Sequence, residues 1–147
     1  MLGAGVKYSG SFAGFDFTAG LGYQAVDAEV NSVDIDADVI GISLGTTVAG
    51  FQIIANYSEA DVDIAGFDSD LDHFGIAVGY TFGELLVAAN YGEFDGDLAG
   101  TDAEGFGLVA NYDLGGGATL QAGYGNSDRD GANNDSEQYS FGISMNF

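Results

Sequence analysis

Apolar and polar residues alternate along most of the chain with a period of two. The last segment is the clearest, because Tyr139, Phe141, Ile143, Met145 and Phe147 occupy every second position. Successive side chains of a β-strand point to opposite faces, so each such segment predicts a strand with one apolar and one polar face. Nine segments fit this pattern, each about as long as a tilted membrane-spanning strand, ~9–11 residues. Their apolar positions begin at Leu2, Phe15, Ile40, Phe51, Phe74, Leu85, Phe106, Leu120 and Tyr139.

Short and long connections join these segments alternately. Tight turns are predicted near residues 10–14, 49–50, 82–84 and 114–117. Longer polar loops are predicted over about residues 27–38, 59–72, 93–104 and 126–137. Such alternation is typical of antiparallel strands joined as successive hairpins. A tyrosine closes the ascending strand of each repeat, at Tyr23, Tyr57, Tyr91 and Tyr124.

The placement of charge separates a membrane sheet from a soluble one. The outer face of a soluble β-sandwich carries Lys, Glu and Thr, whereas the polar positions here are mostly Gly, Ser, Thr, Asn, Gln and Ala. Charge is concentrated in the predicted long loops, and aromatic residues lie at both ends of the strands. We therefore predict an all-β, antiparallel up-and-down transmembrane β-barrel, with lipid against the apolar face and a lumen against the polar face. Residues 1–147 are interpreted as one barrel segment.

Composition excludes several classes of function. The chain has 147 residues, with 23 acidic against 2 basic side chains, and its formal net charge is −21. Nucleic-acid binding needs a basic surface, which two basic side chains cannot form. The absence of cysteine excludes thiolate zinc sites and cysteine nucleophiles. No signal-peptide pattern opens the chain, so we expect it to be a mature or a cut chain.

Two segments resemble a known family. The terminal strand ending in Phe147 resembles the last strand of Gram-negative outer-membrane proteins, which the barrel-assembly machinery reads as a signal. The hairpin over residues 111–120 resembles the late hairpins of alphaproteobacterial (Rhodobacter-type) general porins. The resemblance implies a 16-stranded homotrimer in the outer membrane that passes small hydrophilic solutes by passive diffusion. The chain has half the length and nine strands, so we interpret it as the C-terminal half of such a porin.

One alternative is a complete eight-stranded barrel in which residues 1–10 form a stub. Its role would be structural, or partner binding through the acidic loops. A barrel of eight strands is filled by its own side chains, whereas many inward positions here are glycine. Small inward groups suit a wide, water-filled lumen, which favours the porin interpretation.

The predicted pore wall consists of polar residues at inward positions, which shape the wall and perform no chemistry. They are Lys7, Gln52, Asn56, Asn90, Asn111, Gln121, Gln138, Ser140, Ser144 and Asn146. His73 could act as a base, but no serine nucleophile is placed beside it by the sequence, so we predict no enzyme activity. Acidic loops at the mouth predict a preference for cations at low salt.

A calcium site is a weaker prediction. Asn126, Asp128, Asp130, Gly131 and Glu137 match the spacing of a calcium loop, although their flanks are strands. Acids also alternate at residues 34–38 and 68–72, where their repulsion favours a divalent cation. Calcium or magnesium could bridge these acids to anionic lipopolysaccharide. We expect no other cofactor, and the expected partners are outer-membrane lipid and lipopolysaccharide.

Overall fold

The computed structural model describes residues 1–30, 33–97, 102–130 and 135–146; for Val30, Val33 and Asp34 it describes the backbone alone. Nine strands form one antiparallel sheet whose order follows the sequence, which confirms the predicted all-β up-and-down architecture. The described residues include no helix long and apolar enough to cross a bilayer. The strands are β1 (Leu2–Phe12), β2 (Phe15–Val30), β3 (Val33–Val48), β4 (Phe51–Ile64), β5 (Phe67–Phe82), β6 (Leu85–Gly96), β7 (Ala103–Gly115), β8 (Ala118–Arg129) and β9 (Ser136–Met145).

The strand register keeps the two kinds of side chain on opposite faces. Leu21 of β2 lies opposite Val6 and Ile42, while its neighbour Gly20 lies opposite Lys7 and Ser43. Two troughs of about 470 and 340 Å³ open on the side of the glycines and polar residues, which we call the concave face. The opposite, convex face carries the apolar side chains.

No hydrophobic side chain is buried anywhere in the described part of the chain. Leu108 on the convex face is 49% exposed and Ile143 is 62% exposed. A sheet that covered its apolar face with a second protein layer would hide such residues. The fold therefore leaves a continuous apolar surface on its convex side, as expected of a sheet that meets lipid.

The sheet is open at both edges. Among the described strands, β1 pairs with β2 alone and β9 with β8 alone. β1 is a full strand of 11 residues, so the stub required by the eight-stranded alternative is not observed. An even number of antiparallel pairings separates β1 from β9, and the two edge strands therefore run in the same direction.

Three hairpins turn on an Ala-Gly pair in which both residues have positive φ. The angles are 50° and 85° at Ala13–Gly14, 48° and 85° at residues 49–50, and 55° and 82° at residues 65–66. This is the backbone of a type I′ turn, whose twist matches that of the flanking strands. The turns predicted at residues 49–50 and 82–84 are confirmed, and the first turn lies at the end of its predicted range.

The prediction of long loops over residues 27–38 and 59–72 is wrong. Residues 27–30 and 33–38 continue β2 and β3 as paired strands, and residues 59–64 and 67–72 do the same for β4 and β5. The other two loops are shorter than predicted, because strand structure reaches Gly96 and Arg129 and resumes at Ala103 and Ser136. In the segments that were predicted as loops and form strands, acidic residues alternate with apolar ones. This period of two is compatible with pairing in the sheet.

The polarity of the two faces inverts within these extensions. Past the level of Tyr23 and Tyr57, the convex side becomes acidic and the concave side becomes apolar. β2, β3 and β5 have 16 residues each, more than the ~9–11 that a tilted strand needs to cross a membrane. We call the two surfaces of these extensions the acidic panel and the apolar panel. The acidic panel is Asp27, Glu29, Asp36, Asp38, Glu59, Asp61, Asp63, Asp68, Asp70 and Asp72; the apolar panel is Val26, Ala28, Ile35, Ala37, Val39, Ala60, Val62, Ile64, Phe67 and Leu71.

Candidate functional site

The concave face carries all the side chains that were predicted to line a pore. Register pairs connect them across the sheet: Asn111 lies opposite Gln121, and Ser140 lies opposite Gly123. The trough of about 470 Å³ includes Lys7 and Asn56 in its lining. The full set on this face is Lys7, Gln52, Asn56, Asn90, Asn111, Gln121, Gln138, Ser140, Ser144 and Asn146. They form a polar wall rather than a compact constellation.

Glycines on the concave face make room for neighbouring polar side chains. A Cβ atom placed on Gly107 would lie 2.5 Å from Oδ1 of Asn90, and one on Gly75 would lie 2.7 Å from Oδ1 of Asn56. Atoms this close would repel, so each amide lies flat over a strand only because that position has no side chain. Gly107 and Gly75 therefore leave space for the amide groups of Asn90 and Asn56 on the concave face.

His73 lies on the concave face, in contact with Asn56 and Phe94. Nδ2 of Asn56 donates a hydrogen bond to Nδ1 of His73 over 3.2 Å, in the tautomer with an unprotonated Nδ1. The His73 ring also packs against Phe94, with 4.3 Å between the ring centroids. The arrangement positions the imidazole in the wall, where Ser58 of β4 is its opposite residue in the strand register.

A row of tyrosines marks the level at which the faces invert. Their hydroxyl groups donate hydrogen bonds to carboxylates on the convex side: Tyr23 to Asp38 at 2.5 Å, Tyr57 to Asp72 at 2.8 Å, Tyr91 to Glu93 at 2.7 Å and to Glu104 at 2.8 Å, and Tyr124 to Glu137 at 3.3 Å. Each tyrosine has an apolar ring and a polar tip, which suits a boundary between lipid and water. The predicted tyrosine repeat is thus a physical row across the sheet.

The acidic panel places carboxylates directly opposite one another. Asp61 lies opposite Asp70, and Asp63 lies opposite Asp68. A hydrogen bond shared with Asp63 raises the pKa of Asp68 above its ordinary value, and one shared with Asp61 does the same for the pKa of Asp70, with desolvation and charge repulsion adding to it. Like charges in register destabilise a sheet, so Asp68 and Asp70 retain their protons more readily than isolated carboxylates do.

The residues of the predicted calcium loop are distributed over two strand ends. Asn126 pairs with Glu137 across β8 and β9, whereas Asp128 pairs with Glu104 on the other side. The amide of Asp130 donates to a backbone carbonyl at 3.0 Å. Gly131 lies outside the described residues. Within the described ranges, no group of three or more His, Cys, Asp or Glu side chains could hold a metal ion.

A cavity of about 250 Å³ opens at the outer ends of β6, β7 and β8. We call it the mouth cavity; it is lined by Glu93, Phe94, Asp95, Asp102, Ala103, Glu104, Asp128 and Asp130. Phe94 is 45% exposed and lies on the concave face, whereas Glu93 and Glu104 belong to the convex face. Sequence reasoning missed both this cavity and the apolar panel, although the alternation of Val, Ile and Ala with Asp in residues 33–39 and 60–64 was a usable signal.

Comparison with known proteins identifies the family. A sequence profile described as Gram-negative porin matches residues 1–144. Comparison with curated protein sequences found no significant match.

Several solved structures share the fold at low sequence identity. Acinetobacter baumannii OccAB4 is similar with a TM-score of 0.79 and 18% identity, over 98% of this chain and 45% of that one. A porin refined at 1.8 Å resolution is similar with a TM-score of 0.62 and 20% identity, over 96% of this chain and 60% of that one. The trimer form of Vibrio cholerae OmpT, an outer membrane protein folded in vitro, is similar with a TM-score of 0.58 and 19% identity. The match covers 93% of this chain and 52% of that one. The chain spans about half the length of these structures.

The profile match covers nearly the whole chain, and the open nine-stranded sheet fits as a fragment of the porin barrels that resemble it. The chain therefore belongs to the Gram-negative porin family of the bacterial outer membrane.

Proposed function

We propose that this chain forms part of the wall of a water-filled channel for passive diffusion of small hydrophilic solutes and ions. The observation that carries the proposal is the division of the sheet into an apolar convex face and a polar concave face across all nine strands. Lipid chains would contact the apolar convex face, and pore water would hydrate the polar concave face. The polar residues of the concave face, from Lys7 to Asn146, would shape and hydrate the pore without chemistry.

The direction of the edge strands supports further strands in the complete barrel. β1 and β9 run the same way, so antiparallel pairing at both open edges requires an odd number of additional strands. Seven would complete the 16-stranded barrel that the Rhodobacter-type resemblance implies. We therefore propose that the chain is the C-terminal half of a general porin of this type.

The mass of the native polypeptide tests the half-barrel proposal. We expect about twice the 15.1 kDa of this chain, measured on protein extracted from its source membrane. Channel activity is tested separately, by conductance of the same preparation in planar bilayers. A native mass equal to that of the chain would contradict the half-barrel, whereas a preparation of the expected mass without conductance would contradict the channel.

Assembly partners follow from the same interpretation. A homotrimer is the proposed state, supported by the fold shared with the trimer form of Vibrio cholerae OmpT. Phe147, the proposed signal for the barrel-assembly machinery, lies outside the described residues. Removing it should reduce the folded fraction in cells while leaving in vitro folding into detergent unchanged. Equal loss in both settings would assign the residue a structural role instead.

The acidic panel supports a partnership with lipopolysaccharide. Its carboxylates lie on the lipid side of the sheet, just beyond the tyrosine row. We propose that calcium or magnesium bridges these acids, together with Asn126, Asp128, Asp130 and Glu137, to lipopolysaccharide phosphates. Chelation should then lower the thermal stability of the protein in lipopolysaccharide-containing membranes. A melting temperature unchanged by chelation would remove this proposal.

A further inference from the structure

The trough of about 340 Å³ on the concave face has a floor of glycine, and we call it the glycine trough. Gly92 of β6 lies opposite Gly105 of β7, and Gly107 follows on β7 toward the tight turns. Backbone without side chains leaves a flat base, and the volume falls within the ~300–1,000 Å³ of small-molecule sites. The glycine trough therefore has room for one small solute against the wall.

An aromatic ring bounds the outer end of the glycine trough. Phe94 lies two residues beyond Gly92 on the same face of β6 and is exposed. Its ring packs against His73 with 4.3 Å between the centroids, and His73 is held in turn by the hydrogen bond from Asn56. These contacts fix the ring from the β5 side. Its partner on β7 is the small residue Ala103, which leaves the ring accessible from the trough.

Two polar side chains line the glycine trough. Asn90 lies at the inner end, two residues before Gly92 on β6, and Ser127 of β8 lies opposite Gly105. A side-chain amide and a hydroxyl group each donate and accept hydrogen bonds. They complement a solute whose own polar groups do both, and hydroxyl groups have this property.

His73 adds a third polar group at the floor. Its Nδ1 accepts the hydrogen bond from Asn56, so the neutral ring carries its hydrogen on Nε2. Nε2 lies 3.9 Å from the position that a Cβ atom on Gly92 would occupy. The imidazole therefore provides a hydrogen-bond donor at the edge of the trough, next to the ring of Phe94.

The charges near the glycine trough favour an uncharged ligand. Glu104 also lines the trough, but its carboxylate accepts a hydrogen bond from Tyr91 on the convex side. Arg129 lies opposite Ala103 at the outer rim of the trough, on the concave face. Its charge disfavours a cation there, while the carboxylates of the mouth cavity disfavour an anion. A neutral solute meets neither repulsion.

We propose that the glycine trough binds a neutral polyhydroxylated ring, a sugar of monosaccharide size, on the diffusion path through the pore. The C–H groups on one face of such a ring form an apolar surface that Phe94 would cover. The hydroxyl groups at its rim would bond to Asn90, Ser127 and His73, which a purely apolar solute would leave without partners. The inference rests on the proposed channel function, since it assigns a class of solute to that pore.

Block of the ion current through the native porin in planar bilayers tests the inference. The probes are D-glucose and sorbitol, because sorbitol carries similar hydroxyl groups on an open chain without a ring face. The half-blocking concentration of glucose should be lower than that of sorbitol by about threefold or more. Phe94→Ala should raise the value for glucose by roughly three- to tenfold, and Phe94→Tyr should preserve it. Phe67→Ala is the matched control, because Phe67 is exposed on the same face outside the trough.

A second pair of variants tests recognition of the hydroxyl groups. Ser127→Ala should raise the half-blocking concentration of glucose by about two- to fivefold. Ser69→Ala is its control and should leave that value unchanged, since Ser69 lies opposite Val62 on the concave face, away from the trough. Saturation-transfer NMR of glucose with the same porin in detergent measures binding without conductance. The transfer to the sugar ring protons should fall in Phe94→Ala.

The outcomes separate the sugar site from the channel. Equal block by glucose and sorbitol, or equal effects of Phe94→Ala and Phe67→Ala, would overturn the inference and leave the channel function intact. Saturation transfer that Phe94→Ala leaves unchanged would overturn it as well. Binding of glucose at Phe94 in a porin that conducts no ions would instead support the site and contradict the channel function.

Discussion

Single glycines on the concave face determine how the polar wall packs. Gly107 and Gly142 lie on the same face, but they have different surroundings. A Cβ on Gly107 would collide with Asn90, whereas a Cβ on Gly142 would meet nothing within 4 Å. The two positions therefore separate the effect of a close approach from the general effect of replacing glycine in a strand.

Gly107→Ala should force the amide of Asn90 off the sheet. We expect a small loss in the free energy of unfolding, because the exposed Asn90 amide can move aside, and a reduced single-channel conductance. Gly142→Ala should be neutral or slightly stabilising, because it restricts only the unfolded chain. Denaturant unfolding in detergent and conductance recordings provide the two measurements. Equal effects of both substitutions would refute the proposed packing of Asn90 over Gly107.

Short turns fix the register of the hairpins. Ala65 has a φ of 55° and no glycine-like freedom, so its backbone lies in the left-handed region at a cost. Ala65→Gly should stabilise the β4–β5 hairpin by about 0.5–1 kcal/mol, since glycine adopts this conformation without strain. Hydrogen exchange of the hairpin amides measures the gain. Ala60→Gly in the adjacent strand is the control and should lower protection; a similar gain at both positions would contradict the turn argument.

The extended hairpins should respond to pH through their paired carboxylates. Hydrogen bonds within the pairs raise the pKa of Asp68 and Asp70 in the folded state above the ordinary value of 3.8. The folded hairpin therefore binds more protons than the unfolded one between 3.8 and the raised pKa. The stability that Asp68 and Asp70 contribute is fully present below this window and is lost as the pH rises through it.

Hydrogen exchange of β4 and β5, corrected for intrinsic rates, should accordingly show more protection at pH 3.5 than at pH 7. The double variant with Asp61→Asn and Asp63→Asn removes the partners, so its protection should depend less on pH. Protection that increased as the pH rose would contradict the assignment.

Sequence periodicity predicted the strands well and the strand ends poorly. All nine strands and the concave-side positions of residues such as Asn56 and Gln121 followed from alternation alone. The error concerned residues 27–38 and 59–72, whose acids suggested loops. Acidic composition is typical of loops, but the period of two continued there with the faces exchanged, because water and lipid headgroups replace lipid chains beyond the tyrosine row.

Parts of the site depend on contacts that no sequence pattern specifies. The packing of His73 against Phe94, and the cavity lined by acids from three strands, arise from register between residues far apart in the chain. Alternation gives the face of each side chain, whereas register determines which residues become neighbours. Register depends here on the geometry of the turns and on the residues at which paired strands begin and end. Alternation predicts these residues only approximately.

Net charge dominates the expected behaviour of the whole pore. With 23 acids against 2 basic residues, the described strand ends should attract cations to the mouth. We expect the native channel to prefer cations at low ionic strength, with the preference weakening as salt screens the mouth. Reversal potentials in salt gradients measure it. Anion preference at low salt would contradict this expectation.

We propose that the concave face is the wall of a conducting pore. Single-channel current during modification of Asn90→Cys in the native porin, by a charged thiol reagent, tests it most directly. Asn90 lies on the concave face and Ala89 on the convex one, and the chain contains no other cysteine. We predict a stepwise fall in conductance for Asn90→Cys and none for Ala89→Cys. An unchanged current at Asn90→Cys despite complete modification, or a fall confined to Ala89→Cys, would contradict it.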